Sequence, residues 1–234
     1  MKVAMCWDDG HAADLRLLAL FRKYNVKATF NLCPGNMPEQ TVMPGKADQE
    51  SSWNWKGFAP GIIGRRDMVE AYRGFEVASH CWRHENAACG ENAKFIQAAI
   101  EARKFLEDAF QRPCRGFAWP CGRYDDETVQ ALKDAGFAYG RTTENTDDVP
   151  ASLRDDPLRL RSSCHALAAD FWRRFQRAAE TTGVFYFWGH AFEMADSESS
   201  WAYFEERLAR LCATPGVEWV NVVDLADAFS PASR

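Results

Sequence analysis

The chain has 234 residues, a net charge of −5 and an isoelectric point near 5.6, which gives no electrostatic reason to expect nucleic acid or an anionic membrane as a partner. Hydrophobic residues make up 47% of the sequence, enough for a sizeable core and too many for a disordered chain. No signal peptide is visible at the N-terminus, and no apolar run approaches the roughly 18 residues that cross a membrane, so we expect a cytoplasmic protein.

Strand-like and helix-like segments alternate along the chain. The first half predicts strands over 2–7, 26–32 and 75–79 and helices over 14–24 and 94–110. The second half predicts strands over 115–119, 137–142, 158–162, 184–188 and 217–223, and helices over about 126–135, 171–182 and 199–212. Asp125 or Asp126 is expected to cap the first of these later helices, and Gly136 to end it.

Repeated strand–helix units indicate an α/β protein with a parallel sheet. The number of units favours a barrel, and no glycine-rich phosphate loop follows the first strand to support a nucleotide-binding sheet. We therefore expect one domain over residues 1–234, with an irregular loop or insertion at about 37–73. The eight cysteines include no Cys-x-x-Cys pair and no disulfide framework, which indicates reduced thiols.

Polar residues lie where several of the predicted strands end. They are Asp8-Asp9-Gly10, His80 with His84, Trp119-Pro120-Cys121-Gly122, and Gly189-His190. Because the carboxyl ends of the strands of a parallel barrel meet at one face, we expect these residues to form one site there.

The histidines at 80 and 84 are four residues apart. On one helical turn the two imidazoles would lie on the same face, close enough to share a metal ion. An isolated pair with this spacing is more often two unrelated polar residues, but the preceding strand and the aspartates at another strand end favour a metal site. Imidazole and carboxylate together suit Zn²⁺ or a neighbouring transition metal rather than Ca²⁺ or Mg²⁺.

Asp8 and Asp9 are adjacent, and adjacent strand residues face opposite ways. Both carboxylates enter one site only if the chain turns there, a turn that Gly10 permits. One aspartate can then bind metal while the other accepts a proton from water. The alternative is a solvated Asp-Asp-Gly turn.

His190 ends the most apolar predicted strand, and Gly189 before it indicates close packing of the main chain at the strand end. A lone buried histidine is more often a core residue, but this position favours a general acid that protonates a leaving amine. Glu193 is three residues further on and either orients His190 or is solvated. His11 and His165 are weaker candidates for contact with a substrate.

These motifs, in this order, resemble the polysaccharide deacetylase family (carbohydrate esterase family four, which includes chitooligosaccharide deacetylases). The resemblance runs from about residue 2 to about residue 190. The segments that carry it are Asp8-Asp9-Gly10, Ala28-Thr29-Phe30, Phe75 to His80 with His84, Phe117 to Asp125, and Trp188-Gly189-His190.

The resemblance implies an irregular, incomplete (β/α)7-type barrel and a metal-dependent hydrolase that removes N- or O-acetyl groups from a carbohydrate. It implies Asp8 as general base and His190 as general acid. It also implies Asp9, His80 and His84 as ligands of one divalent metal ion, Zn²⁺ or else Co²⁺ or Ni²⁺.

The same resemblance implies that the backbone N–H of Cys121 stabilises the oxyanion, with Trp119 and Pro120 beside it at the substrate. The expected partner is a small-molecule or oligosaccharide substrate. The sequence does not set the oligomeric state.

Some positions depart from the family pattern. Cys81 stands where the family usually has Ser or Thr, and Cys121 replaces an aromatic residue that often shapes the acetyl pocket. Ala118 stands where the family often has the arginine that holds the catalytic aspartate, and the sequence leaves four candidates to replace it. They are Arg115, Arg123, Arg141 and Arg161.

The family's Asp-and-Trp motif is also not recognisable in residues 139–149. These departures keep two alternatives open: hydrolysis of another amide, such as a cyclic ureide or imide, and a catalytically inactive carbohydrate-binding protein. Of the tryptophans, Trp7 and Trp188 are expected to pack in the barrel wall, whereas Trp53 and Trp55 in the irregular loop are candidates for stacking on a sugar.

Overall fold

A parallel sheet organises the molecule, and a computed structural model describes it for residues 1–46 and 54–229. The strands are β1 (Lys2–Asp9), β2 (Thr29–Leu32), β3 (Gly45–Lys46), β4 (Phe58–Ala59), β5 (Glu76–Ser79), β6 (Gly116–Ala118), β7 (Tyr139–Asn145), β8 (Leu160–Ser162), β9 (Cys164–His165), β10 (Val184–Gly189) and β11 (Glu218–Trp219). The helices are α1 (Asp14–Tyr24), α2 (Met68–Ala71), α3 (Asn92–Phe110), α4 (Asp126–Asp134), α5 (Val149–Asp155), α6 (Phe171–Glu180), α7 (Glu198–Ala213) and α8 (Val222–Phe229).

The main sheet curls into a barrel. Its strand order is β8-β7-β6-β5-β2-β1-β10-β9, with every pair parallel, and β11 adds to the start of β1. The two outermost strands, β8 and β9, are separated in sequence only by Ser163. The Ser163 N–H donates to the Tyr186 carbonyl of β10 at 2.6 Å, and its hydroxyl accepts the Tyr186 N–H at 3.1 Å. One continuous segment therefore joins β7 to β10 and brings the two edges of the sheet together, which confirms the predicted barrel.

Alternate residues of β1 enter two different cores. Val3, Met5 and Trp7 pack outward against the helices, within a cluster that includes residues of α1, α6 and α7. Ala4 and Cys6 face the other way, into a cluster with residues of β7, β10, α5 and α8. Asp8 continues this second row, so its carboxylate follows the barrel lining rather than the outer layer.

The C-terminal part differs from the sequence prediction. The predicted strand over 217–223 is wrong beyond its first residues, because only Glu218–Trp219 pairs with β1 and helix α8 begins at Val222. The first turn of α8 rests on the starts of β2 and β5, where Thr29 accepts the Val222 N–H at 3.2 Å and Glu76 accepts the Val223 N–H at 3.3 Å. Helix α5 was also not predicted.

The irregular loop at 37–73 contains short elements in its described part. β3 and β4 form a small antiparallel pair, Val42 and Ile62 form a bridge, and α2 follows. The loop contacts the residue that follows β1, since the Ile63 N–H donates to the Gly10 carbonyl at 3.1 Å. Trp53, one of the two proposed sugar-stacking residues, lies outside the described residues.

All eight cysteines are free thiols in this structure. Among the helices of the described ranges, none combines the length and the apolar character needed to span a bilayer.

Candidate active site

The site is built at the carboxyl ends of β1, β5, β6 and β10, with Arg141 from β7 beside them, and a buried carboxylate, Asp8, lies at its base. Oδ1 of Asp8 accepts a hydrogen bond from Asn31 Nδ2 at 2.7 Å, and Oδ2 pairs with the Arg141 guanidinium. Burial opposes ionisation, but Arg141 and, to a smaller extent, His80 and His190 outweigh it, so the pKa of Asp8 lies below its usual range. The carboxylate is therefore ionised at neutral pH.

Arg141 resolves the choice that the sequence left open. It comes from β7, both its side chain and that of Asp8 are buried, and the Trp188 ring lies 4.5 Å from its guanidinium carbon. Arg115 instead pairs with Asp227 at the surface. The sequence also missed Asn31, and the only available signal was an amide at the end of an otherwise apolar strand.

Asp9 enters the same site through a backbone turn. Asp9 has φ = 81° and Gly10 has φ = 77°, so both take the left-handed conformation directly after the barrel-facing Asp8. This is the turn that the adjacent aspartates required. A Cβ on Gly10 would lie 2.8 Å from the Met37 methyl group, so a side chain there meets both an unfavourable φ and a close contact.

His80 and His84 converge on Asp9, but not through the helical turn that the spacing suggested. Residues 81–83 form an irregular turn, and Cys81 and His84 have φ = 66° and 65°. The two rings lie with their centroids 4.7 Å apart. The two histidines are close together, as the sequence predicts. The predicted helical turn between them is wrong, because Cys81 and His84 have positive φ values and neither is a glycine, the residue type that would have indicated such a backbone.

Asp9, His80 and His84 each place a ligand atom within 4.8 Å of the other two. Nε2 of His80 and of His84 lie 3.6 and 3.9 Å from Asp9 Oδ1. These separations are too long for hydrogen bonds but close to the roughly 3.3 Å expected between two ligands around a tetrahedral ion.

The protonation of His80 also suits a metal ion. Its Nδ1 lies 2.8 Å from the Ala118 carbonyl oxygen, which can only accept, so Nδ1 carries the proton and Nε2 keeps its lone pair. Burial lowers the pKa of His80 to about 4, which keeps the ring neutral. Neutral imidazole is the form that binds metals, so these residues fit the implied divalent ion.

His190 lies on the opposite side of the aspartates. Its Nε2 is 3.8 Å from Asp8 Oδ2 and 4.0 Å from Asp9 Oδ2. Burial opposes protonation, but the carboxylates of Glu193, Asp9 and Asp8 outweigh it and raise the pKa of His190 to about 9. The imidazole is therefore positively charged at neutral pH, and its Nε2 faces the carboxylates of both aspartates. A Cβ on Gly189 would lie 3.1 Å from Trp7 and from Ala166, which is the close packing that the sequence suggested.

The remaining candidate histidines contact acidic groups. His11 Nε2 lies 3.6 Å from Asp9 Oδ2, and its Nδ1 lies 2.9 Å from the Gly61 carbonyl oxygen. His165 Nε2 lies 2.9 Å from Glu193 Oε2. Glu193 is held within the fold rather than solvated, since Oε2 also accepts the His190 main-chain N–H at 3.1 Å.

The segment after β6 begins beside the site, where the Ala118 carbonyl contacts His80, and continues with unusual backbone geometry. Trp119 is buried and its indole N–H donates to the Leu158 carbonyl at 2.7 Å. Pro120 is also buried and begins a short 3-10 turn in which Cys121, an exposed residue, has φ = 53°. Gly122 has φ = 65°, and a Cβ there would lie 2.1 Å from the Thr143 hydroxyl oxygen, so the loop is pressed against β7.

Aromatic residues border the site on the side of His190. Trp55 packs edge-to-face on Phe192 with centroids 5.4 Å apart. Part of this ring, which was predicted to stack on a sugar, is therefore in contact with another side chain of the protein. Trp7 is buried in the outer core and Trp188 lies against Arg141, in keeping with the packing roles expected for both.

Residues 1–140 match the sequence model of a protein family described as polysaccharide deacetylase. This match covers more than half of the chain and includes Asp8, Asp9, His80, His84 and the segment at Cys121. No curated protein sequence matches the chain.

Solved structures share the fold. A "putative polysaccharide deacetylase" from Mycobacterium smegmatis superposes with a TM-score of 0.63 at 19% identity, covering 97% of this chain and 89% of that one. A family 4 acetyl xylan esterase from Clostridium thermocellum in complex with a cobalt ion has a TM-score of 0.55 at 18% identity, with coverages of 96% and 90%.

A pseudoenzyme of the CE4 family from Bacillus anthracis has a TM-score of 0.56 at 16% identity, covering 97% of this chain and 65% of that one. At these identities the likeness concerns the fold. Because the fold is shared by an esterase and a pseudoenzyme, the side chains at the site must decide whether chemistry takes place.

Proposed function

The chain belongs to the polysaccharide deacetylase family, and from that premise we propose that it is a metal-dependent hydrolase that removes N- or O-acetyl groups from a carbohydrate. One observation carries the proposal: Asp9, His80 and His84, whose ligand-type atoms lie within 4.8 Å of one another, are directly beside the buried Asp8 carboxylate, and His190 faces both aspartates. A binding protein with this fold would have no use for a general base and a general acid on two sides of a metal site.

Asp9, His80 and His84 would hold the ion, with Asp9 Oδ1 facing both Nε2 atoms. The donor set of one carboxylate and two imidazoles suits Zn²⁺, with Co²⁺ or Ni²⁺ as substitutes. A divalent ion there would polarise an acetyl carbonyl and make water a stronger acid.

Asp8 is suited to accept a proton from water. Arg141 and Asn31 fix the carboxylate and keep it ionised, and its Oδ2 faces the space in front of His190 at 3.8 Å. A carboxylate restrained by two partners loses little orientational freedom when the reaction starts.

His190 is suited to donate a proton. Its raised pKa of about 9 means that the ring carries a proton to give at neutral pH. Protonating the leaving amine or alcohol is the step that completes acetyl transfer to water. The Cys121 N–H, presented by a loop with left-handed residues at 121 and 122, would stabilise the negative charge that develops on the carbonyl oxygen.

The first experiment measures metal content by elemental analysis. The parent protein should carry about one equivalent of zinc, cobalt or nickel per chain, and His80→Ala combined with His84→Ala should reduce this to background because two of three ligands are lost. His165→Ala serves as the matched control, since it removes a histidine outside the triad and should retain the metal.

The metal-loaded protein is then tested for acetate release from chitooligosaccharides and acetylated xylan, with cyclic imides and ureides in parallel. Turnover of the cyclic amides alone would replace the deacetylase proposal by the other amide hydrolase. Carbohydrate binding without turnover in excess metal would support the inactive binding protein, and a parent that takes up no metal after reconstitution would end the hydrolase mechanism.

A further inference from the structure

Beside the proposed general acid lies a second group of facing side chains that the metal triad does not use. His165, His190 and Glu193 each place a ligand-type atom within 4.8 Å of the others, and all three side chains are half-buried. His165 lies on β9, and His190 and Glu193 lie directly after β10. These two strands pair, with Trp188 of β10 opposite His165. Such a group either binds a second metal ion or forms a chain of hydrogen bonds.

The protonation of His165 decides between these. Its Nδ1 accepts the Leu167 main-chain N–H at 3.2 Å, and a backbone N–H can only donate. The neutral ring therefore carries its proton on Nε2, the atom that lies 2.9 Å from Glu193 Oε2. A metal ligand would need a lone pair on that nitrogen, so the arrangement favours a hydrogen bond to the carboxylate. His80 has the opposite arrangement, with its Nε2 left free.

Glu193 is fixed relative to His190 on two sides. Its Oε2 accepts the His190 main-chain N–H at 3.1 Å, within the short turn Ala191–Met194, and it accepts from His165 across the neighbouring strand. The same oxygen lies 3.4 Å from His190 Nδ1. That nitrogen is buried and forms no hydrogen bond in this structure, and the Glu193 carboxylate is the group that would accept a proton from it.

Resting on the proposed function, we propose that Glu193, held by His165, is the positioning residue of the general acid. By accepting the Nδ1 proton of His190 it fixes the ring plane and directs Nε2 toward the space above Asp8 and Asp9. A separation of 3.4 Å is longer than a formed hydrogen bond, and catalytic hydrogen bonds often shorten only when substrate is bound.

The test compares Glu193→Gln and His165→Gln with Glu198→Gln, an exposed glutamate that pairs with Arg16. The first measurement is the imidazole nitrogen spectrum of zinc-loaded protein labelled with ¹⁵N-histidine, assigned with His190→Gln. The parent should show a protonated Nδ1 in His190 that is shielded from exchange with solvent. Glu193→Gln should lose that signal, His165→Gln should weaken it, and Glu198→Gln should leave it unchanged.

The second measurement is a double-mutant cycle on acetate release. Glu193→Gln should lower kcat by ~10- to 100-fold while KM changes little, because a misplaced catalytic group affects the reaction more than binding. In the His190→Gln background the same substitution should have no further effect, since the residue acts through His190. An equal loss in both backgrounds would show a purely structural role and overturn the proposal.

Two further outcomes would also overturn it. An unchanged His190 signal in Glu193→Gln would show that the carboxylate does not hold the ring. A second equivalent of zinc in the parent that is lost in His165→Gln would make the cluster a metal site. If no form releases acetate, the proposed function fails, while the ring spectra still decide whether Glu193 holds His190.

Discussion

At the scale of single residues, the ion pair of Asp8 and Arg141 is the contact on which both the proposed mechanism and the stability of the barrel interior depend. Both side chains are almost completely removed from solvent, so each charge depends on the other. Removing one member of a buried pair leaves the other charge without compensation, which is costlier than losing a surface contact.

We expect Arg141→Met to lower the free energy of unfolding by about 3–5 kcal/mol at pH 7, measured by urea denaturation with a chelator present. Arg115→Met, which breaks an exposed pair with Asp227, is the matched control and should cost less than about 1 kcal/mol. Equal losses in the two variants would contradict the importance of burial.

The effect of Arg141 should also depend on pH. Since Arg141 lowers the folded-state pKa of Asp8 below its unfolded value near 3.8, the stability it provides is present above that value and is lost as the pH falls through the folded pKa. The difference between parent and Arg141→Met should therefore be largest at neutral pH and narrow as the pH falls toward and below 4. A constant difference would mean that the two charges are not coupled.

Residue types and strand ends were enough to predict that the aspartates and the histidines at 80, 84 and 190 lie close together. The identity of the arginine was not predictable, because it depends on which side chain of β7 points into the barrel opposite β1. That register is set by strand pairing and by Trp188 over the guanidinium, not by any local pattern around Arg141.

At the scale of secondary-structure elements, the junction of α8 with the barrel is held by polar groups. Glu76 accepts the Val223 N–H, the Thr29 hydroxyl and the Tyr139 hydroxyl, the last at 3.0 Å. Tyr139 reaches across β6 because Gly116 has no side chain, and a Cβ there would lie 2.1 Å from the Tyr139 oxygen. One carboxylate thus connects three strands and a helix terminus.

We expect Glu76→Ala to destabilise the protein by about 2–4 kcal/mol, because it leaves buried donors without an acceptor. In hydrogen-exchange experiments the amides of α8 should lose protection before those of α1. Glu70→Ala, at an exposed helical position paired with Arg73, should leave the exchange pattern unchanged. Uniform loss of protection in Glu76→Ala would show that α8 is not held separately.

This junction also explains where the sequence prediction of elements failed. Residues 217–223 are apolar enough to resemble a strand, but the helix begins at Val222 because distant residues accept its first N–H groups. Helix α3 was predicted to its last residue, since its own apolar spacing determines it. The turn between His80 and His84 was not predictable because Cys81 and His84 do not signal a positive φ.

At the scale of the whole molecule, the free energy of unfolding should depend on pH in the way that a buried carboxyl group dictates. Asp14 is fully buried at the start of α1; Tyr72 donates to its Oδ2 at 2.8 Å, and Oδ1 has no partner among the described residues. Burial raises the pKa of Asp14 from 3.8 to about 7. Between these values the folded protein binds more protons than the unfolded chain, so this group makes stability fall as the pH rises.

Asp14→Asn removes that titration. The free energy of unfolding of the variant minus that of the parent should therefore increase by about 1–4 kcal/mol between pH 4.5 and pH 7.5. Denaturation curves at three pH values in that range, again with a chelator, would measure it. Parallel stability profiles for the two proteins would show that Asp14 is already ionised in the folded state.

The way the barrel closes has a consequence for how partly unfolded molecules associate. Residues 160–165 pair with β7 before Ser163 and with β10 after it, so a single short segment covers two strand edges. If that segment detaches, both edges become available at once, and unpaired edges recruit strands from other molecules. A molecule with one unpaired strand edge can only dimerise, whereas a molecule with two can add a neighbour on each side and grow into a polymer.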